Sequence, residues 1–243
     1  MTRGRVAAAC FLLVCGAFLL TTGRSFALYH ESMPEHSTAV VVTNLDSVVT
    51  SVAFSVYDAY GALQSRSEIV LDAQASEALF IDGMIEAVVG TTWGLVSAET
   101  EGHVAFGVWI AVDGAWRCVE NVATALLDPT DLPYSAYWYT VDYASTGSRK
   151  SQVGVVNPWS EPVSAEMEVH DASGAIAAHF GLNLDGHASG FYDLSGGLGT
   201  DSMLWGSVVV RATAPVLLVA EYRDDASTLI DIDMTTKFFF IEE

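Results

Sequence analysis

Between Ser51 and Asp58 the chain alternates. Val52, Phe54 and Val56 fall on one side, and Ser51, Ala53, Ser55 and Tyr57 on the other. A period of two with one polar side predicts a half-buried β-strand. Ala165, Met167 and Val169 alternate with Glu166, Glu168 and His170 in the same way. Each of these segments runs into a similar quartet, Asp58-Ala59-Tyr60-Gly61 or Asp171-Ala172-Ser173-Gly174. An aspartate that bonds nearby backbone and a glycine that tolerates positive φ predict a tight turn. A strand follows each turn, over 63–71 and 176–184. With 171–174 as the turn, Glu168 falls opposite Ala177 and Glu166 opposite His179. Further strands are expected over 38–44, 76–81, 91–98 and 103–112, with counterparts later in the chain. The apolar stretch 211–222 is interrupted at Ala214-Pro215, which places an edge or a bend there. Val119, Val122 and Leu126 lie at helical spacing and predict a short helix over 119–127.

The same pattern occurs twice. Val40-Val41-Val42-Thr43-Asn44 returns as Val153-Gly154-Val155-Val156-Asn157, and Leu71-Asp72 as Leu184-Asp185. Residues 40 to 81 match 153 to 194 without a gap, and after one deletion Trp93-Gly94 matches Trp205-Gly206. The spacing is too long for a solenoid unit and is the size of a domain. The expected organisation is therefore a leader over 1–27 and two copies of one domain, 28–127 and 128–243. The proline-rich stretch Asp128 to Pro133 is the linker. Many short strands with regular turn signals, and no alternating helices, give an all-β fold of two tandem β-sandwiches related by internal duplication.

Val155-Val156-Asn157-Pro158, followed by Val169-His170-Asp171-Ala172-Ser173-Gly174 and then Leu184, Gly206 and Pro215-Val216, resembles secreted bacterial immunoglobulin-like sandwich modules. The first copy keeps Asn44, Asp58, Gly61, Leu71 and Gly94, with Leu45 in place of the proline and His103-Val104 in place of Pro-Val. The resemblance implies structural or binding units, mostly without known activity. Fold analogy does not by itself assign function.

The first residues change the setting. Arg3 and Arg5 precede an apolar run from Val6 to Leu20, and Ser25-Phe26-Ala27 supplies small residues at a cleavage position. This is the layout of a secretory signal peptide cut after Ala27, and the run is short for a membrane span. A retained N-terminal anchor is the alternative. Cys10 and Cys15 would leave with the leader, so Cys118 alone remains and no internal disulfide is expected. The location is extracytoplasmic: periplasmic, cell-surface or secreted.

The chain has 243 residues, 30 Asp+Glu against 10 Lys+Arg and a formal net charge of −20. Such an excess of acid excludes nucleic acid as a partner. An apolar fraction of 51% excludes a disordered acidic tail. Nucleophile, zinc-helix and phosphate-loop motifs are absent; in Gly186-His187-Ala188-Ser189-Gly190 the serine stands one place late for a nucleophile elbow. No enzymatic activity and no obligatory cofactor are expected. Calcium is the cation for the acidic C-terminal pair Asp231 and Asp233. A zinc or copper site can be drawn from His170 and His179 with the nearby glutamates. Sugar stacking would use Trp138, Trp159 and Tyr139. As a strand, Tyr137, Tyr139, Val141 and Tyr143 share one face, and Trp138 the other. Trp93 and Trp205 stand at equivalent places and read as packing anchors in both copies. The expected function is a structural or adhesive role through protein–protein contacts, with carbohydrate or calcium binding as the alternative.

Overall fold

The computed structural model describes residues 25–32, 36–84, 92–112, 115–119, 136–145, 149–194, 204–224 and 229–235. The protein is all-β, with four antiparallel four-stranded sheets. The first half holds β1 (Ser25–Ser32), β2 (His36–Asn44), β3 (Thr50–Tyr57), β4 (Leu63–Leu71), β5 (Ser76–Phe80), β6 (Thr92–Thr100), β7 (Val104–Val112) and β8 (Ala115–Val119). The second holds β9 (Tyr137–Ser145), β10 (Arg149–Val156), β11 (Val163–Asp171), β12 (Ile176–Leu184), β13 (Ser189–Asp193), β14 (Leu204–Ala212), β15 (Leu217–Asp224) and β16 (Leu229–Thr235). Sheet order β1-β6-β3-β4 in the first half is matched by β9-β14-β11-β12 in the second, and β5-β2-β7-β8 by β13-β10-β15-β16.

Alternation along each strand builds the cores. In the first half Phe54 and Val56 of β3 meet Val40 and Val42 of β2 and Val108 and Ile110 of β7. In the second, Met167 and Val169 meet Val153 and Val155 of β10 and Leu218 and Ala220 of β15. Two apolar sheet faces in contact define a sandwich. Tyr137, Tyr139, Val141 and Tyr143 are all buried in the second core, on one face of β9 as the sequence required.

The repeated residues have repeated tasks. The Asn44 side-chain amide donates to the carbonyls of Val48 (2.7 Å) and Asp72 (2.9 Å). Asn157 donates to Glu161 (2.8 Å) and Asp185 (2.9 Å) in the same geometry. Each asparagine thus satisfies buried backbone where its strand ends. Asp58 Oδ1 accepts from the amides of Tyr60 and Ala62, and Asp171 Oδ1 from those of Ser173 and Ala175. Gly61 and Gly174 close the two turns at φ +81° and +83°.

Several expectations change. The turn after β11 closes through Asp171 N–H to Ala175 O, and the register shifts between Val169 and His170. Glu168 therefore stands opposite His179, and Glu166 opposite Gly181. A three-residue loop with a bulge replaces the simpler hairpin because Gly174 takes the left-handed position. The boundary expected after Ala27 falls inside β1, where Phe26, Ala27 and Leu28 are buried and pair with Ala98, Ser97 and Val96. Val119 ends strand β8, and the rest of the helix expected over 119–127 lies outside the described residues, as do the linker and residues 1–24 of the leader. The stretch 211–222 does break at Ala214-Pro215, between β14 and β15.

Candidate functional site

Residues that alternate toward the core on one side of a strand present their neighbours on the other. In β15 Leu218 and Ala220 enter the second core, so Leu217, Val219, Glu221 and Arg223 face outward. They do not meet solvent: Leu217 and Val219 join the cluster of the first half, beside Tyr29 and Leu95. The outer face of β1-β6 thus packs on the outer face of β10-β15. Phe191 of β13 lies 5.0 Å from the Trp93 ring and 5.6 Å from the Tyr29 ring.

A charged cluster closes this seam. Arg223 Nη2 donates to Glu31 Oε1 at 2.5 Å and to Glu221 Oε2 at 2.6 Å. The Tyr29 hydroxyl donates to Glu221 Oε1 at 2.5 Å. All four side chains are buried. Burial first, then the Glu31 charge, pushes Glu221 above the usual carboxylate range, and burial pushes Tyr29 far above its own. The two carboxylates more than offset the burial of Arg223 and hold its guanidinium firmly charged. A buried ion pair adds little net energy when intact, but it costs several kcal/mol to break, so it fixes how the halves meet.

The second part of the seam is backbone. Ser189 N–H donates to Ala59 O (2.9 Å), and Tyr60 bridges to Ala188. A Cβ on Gly61 would sit 2.1 Å from Gly186 O. The His187 ring stacks on Tyr57 at 4.1 Å, and burial lowers its pKa. The segment whose serine failed the nucleophile motif is therefore the landing place for the first turn. Tyr29, Glu31, Glu221 and Arg223 were not singled out from sequence. The one available signal was the pair Glu221 and Arg223, charges alternating with apolar residues at the end of an apolar strand.

The predicted site residues do not converge. Tyr139 is fully buried and its hydroxyl accepts from Val216 N–H (2.8 Å), which closes it to a sugar ring. Trp138 lies on the opposite, outer side of β9 with the Arg211 guanidinium over its ring at 5.5 Å. Trp159 is half-buried against the second core and donates its indole N–H to Pro215 O (2.6 Å), bracing the bend before β15. His170 Nε2 lies 3.2 Å from Glu168, and His179 stands across from that glutamate. Among the described residues no group of three His, Cys, Asp or Glu could hold a metal ion. Asp231 and Asp233 sit on β16 across from Tyr222 and Ala220. Cys118 is a half-buried cysteine on β8 that forms no disulfide among the described residues. Trp93 packs into the seam, but Trp205 is 61% exposed, so the expectation of two packing anchors holds for one.

The outer face of β5-β2-β7-β8 differs from every other outer face. Val40, Val42, Val108 and Ile110 point into the core, so Ala39, Val41, Gly107 and Trp109 point out. Ala78 and Phe80 flank them on β5, and Trp116 and Cys118 on β8. Phe80 is 55% and Trp116 44% exposed. Among the described residues this face carries no charged side chain. By contrast the outer face of β9-β14-β11-β12 presents Asp142, Glu166, Glu168, His170 and Arg211. Two depressions, over Glu166, Gly181, Asn183 and Arg211 and over Ser55, Arg66, Glu68 and Glu99, are partly open to solvent.

No protein-family model matches the chain, and no curated protein matches it. Solved structures similar to it include the BSP domain of a biofilm associated protein, at 8% identity and TM-score 0.27, covering 88% of this chain and 55% of that one. A Bacteroides uniformis beta-glucuronidase matches at 11% identity and TM-score 0.20, covering 87% and 26%. A putative beta-galactosidase from Bacteroides fragilis matches at 11% and 0.19, covering 91% and 33%. The chain thus spans about half the length of the first and a quarter to a third of the others. Likeness at these scores carries no argument about function. No helix among the described residues is long and apolar enough to cross a membrane.

Proposed function

We propose that this is an exported, non-enzymatic structural or adhesive protein, built of two copies of one immunoglobulin-like sandwich domain, and that it acts through protein–protein contacts. The carrying observation is that, among the described residues, the outer face of β5-β2-β7-β8 has no charged side chain and exposes Phe80 and Trp116, on a chain of net charge −20. Exposed contiguous apolar surface on a soluble domain marks an interaction site. The polar residues that do gather in the interior, at the seam, bond to one another across the two halves and hold them as one body. The repeated sheet order supports the duplication, and the apolar run before Ser25 supports export.

The test is rebinding. Purified protein is added back to producing cells that lack it, with or without prior protease treatment of the cell surface, and with or without periodate oxidation of surface sugars. Retention should be lost after protease and kept after periodate. Retention that survives protease and is lost on periodate would replace the protein partner with a carbohydrate.

A further inference from the structure

Strand β1 starts ahead of Ala27, the residue at which the sequence pattern ends the leader. The Phe26 ring lies 4.8 Å from that of Phe106, which meets Phe54 edge-on at 6.2 Å in the first core. Ala27 is buried across from Ser97, and Leu28 is fully buried across from Val96. Ser25, the first residue of β1, is half-exposed and stands across from Glu99.

We propose that the exported chain is processed between Gly23 and Arg24, so that Arg24 becomes its first residue and β1 is kept whole. This rests on the export reading above and names the bond that is cut. The reaction is hydrolysis by a leader-removing endopeptidase. Water adds across the Gly23–Arg24 amide, leaving a carboxylate on Gly23 and an α-ammonium on Arg24.

Such enzymes take small residues immediately before the cut and two places further back. Behind the apolar run, Thr21 with Gly23, Gly23 with Ser25, and Ser25 with Ala27 all meet that requirement. The leader is removed as the chain is exported, before folding, so the finished strand shields none of the three bonds. What separates them is what each cut leaves behind.

First, a cut after Ala27 discards Phe26. It opens a ring-sized gap beside Phe106 and Phe54, and it takes the β1 partners from Ser97, Ala98 and Glu99 of β6. Second, that cut puts the new α-ammonium on Leu28, and a cut after Ser25 puts it on Phe26, both buried positions. An ammonium taken out of water without a partner is costly. A cut after Gly23 puts it on Arg24, ahead of half-exposed Ser25, whose strand partner Glu99 is acidic and exposed. Third, β1 carries Tyr29 and Glu31 to the seam, where they meet Glu221 and Arg223. A terminal strand stays ordered only when it is tied down, so loss of its first residues loosens the joint between the halves as well as the first core.

N-terminal sequencing and mass spectrometry of the exported chain, purified from the producing cells, test this. Arg24 should be the first residue. A chain that begins at Phe26 or Leu28 would overturn the proposal and leave export standing. A chain exported with its leader intact would replace processing with a retained anchor. A chain found only inside the cell, leader intact, would overturn the export reading with it. Two substitutions give a reciprocal check. Gly23→Leu sets a large residue at the cut and should abolish the Arg24 N-terminus. Ser25→Leu spoils the other two bonds at a half-exposed position and should leave processing unchanged; the reverse pattern would move the cut into β1. Phe26→Ala should lower the thermal midpoint of the exported chain by roughly 10 °C. A midpoint equal to that of the wild type would mean that Phe26 had left with the leader, and would overturn the proposal.

Discussion

Trp93 and Trp205 occupy the same place in the same strand of the same sheet, and their surroundings are opposite. Trp93 is packed against Phe191 across the seam, whereas Trp205 stands in solvent. Gly61 and Gly174 show the same contrast: equal positive φ, one pressed on Gly186 and the other with nothing near it. Local sequence builds the same turn and the same strand twice. What each piece then touches depends on which half it belongs to, because one half lends its β1-β6 face and the other receives it.

The largest effect should come from the seam's charge. Arg223→Ala leaves Glu31 and Glu221 buried together, and denaturant unfolding should show a loss of about 3–5 kcal/mol. Ala111, the corresponding residue on β7 by strand pairing, has no such task, and Ala111→Ser should change stability by less than about 1 kcal/mol. Equal effects at the two positions would erase the contrast between the halves.

Acid should separate them next. His30 is fully buried, its Nε2–H bonded to Tyr57 O at 2.8 Å, and burial lowers its pKa to about 4. The folded chain keeps it neutral while the unfolded chain takes up a proton below about 6.5. Its contribution is therefore whole above that pH and is lost as pH falls toward 4, by about 3 kcal/mol. Glu221, raised by burial, works in the opposite direction, so the difference between wild type and His30→Gln isolates the histidine. Tyr143 stands at the matching place in the second half, and burial raises its pKa further from the acid range. An acid slope unchanged in His30→Gln would sink this assignment.

Smaller and cleaner are the paired substitutions. Trp93→Ala should cost about 3 kcal/mol by opening a cavity beside Phe191, and Trp205→Ala less than about 0.5 kcal/mol. Gly174→Ala should cost about 1 kcal/mol for its left-handed backbone. Gly61→Ala should cost at least about 1 kcal/mol more, because its Cβ also meets Gly186 O; thermal melts of the pair measure the difference. If the two glycines respond alike, the first turn is not seated on 186–189.

Much of the fold was legible because it is local. Alternation at Val52, Phe54 and Val56 is a property of the strand itself, and Asp58 and Asp171 bond backbone within four residues. Turn, strand and core face follow from such spacings, and their recurrence gave the repeated sheet order. The bulge at Val169/His170 was not legible, since it depends on how Gly174 closes the loop, and it moved Glu168 from Ala177 to His179.

Spacing along the chain was therefore enough for most strands, the two repeated turns and the inward faces, all set by contacts a few residues apart, but not for β1, β8 and β16. Which outward faces are buried depends on long-range packing. Glu31 and Arg223 lie 192 residues apart, and nothing near either announces the other. An outward alternating position reads the same whether solvent or a second sheet lies above it. That is why Trp93 and Trp205 looked alike in sequence, and why the outer face of β5-β2-β7-β8, uncharged among the described residues, stood out only once its covered counterpart was in view.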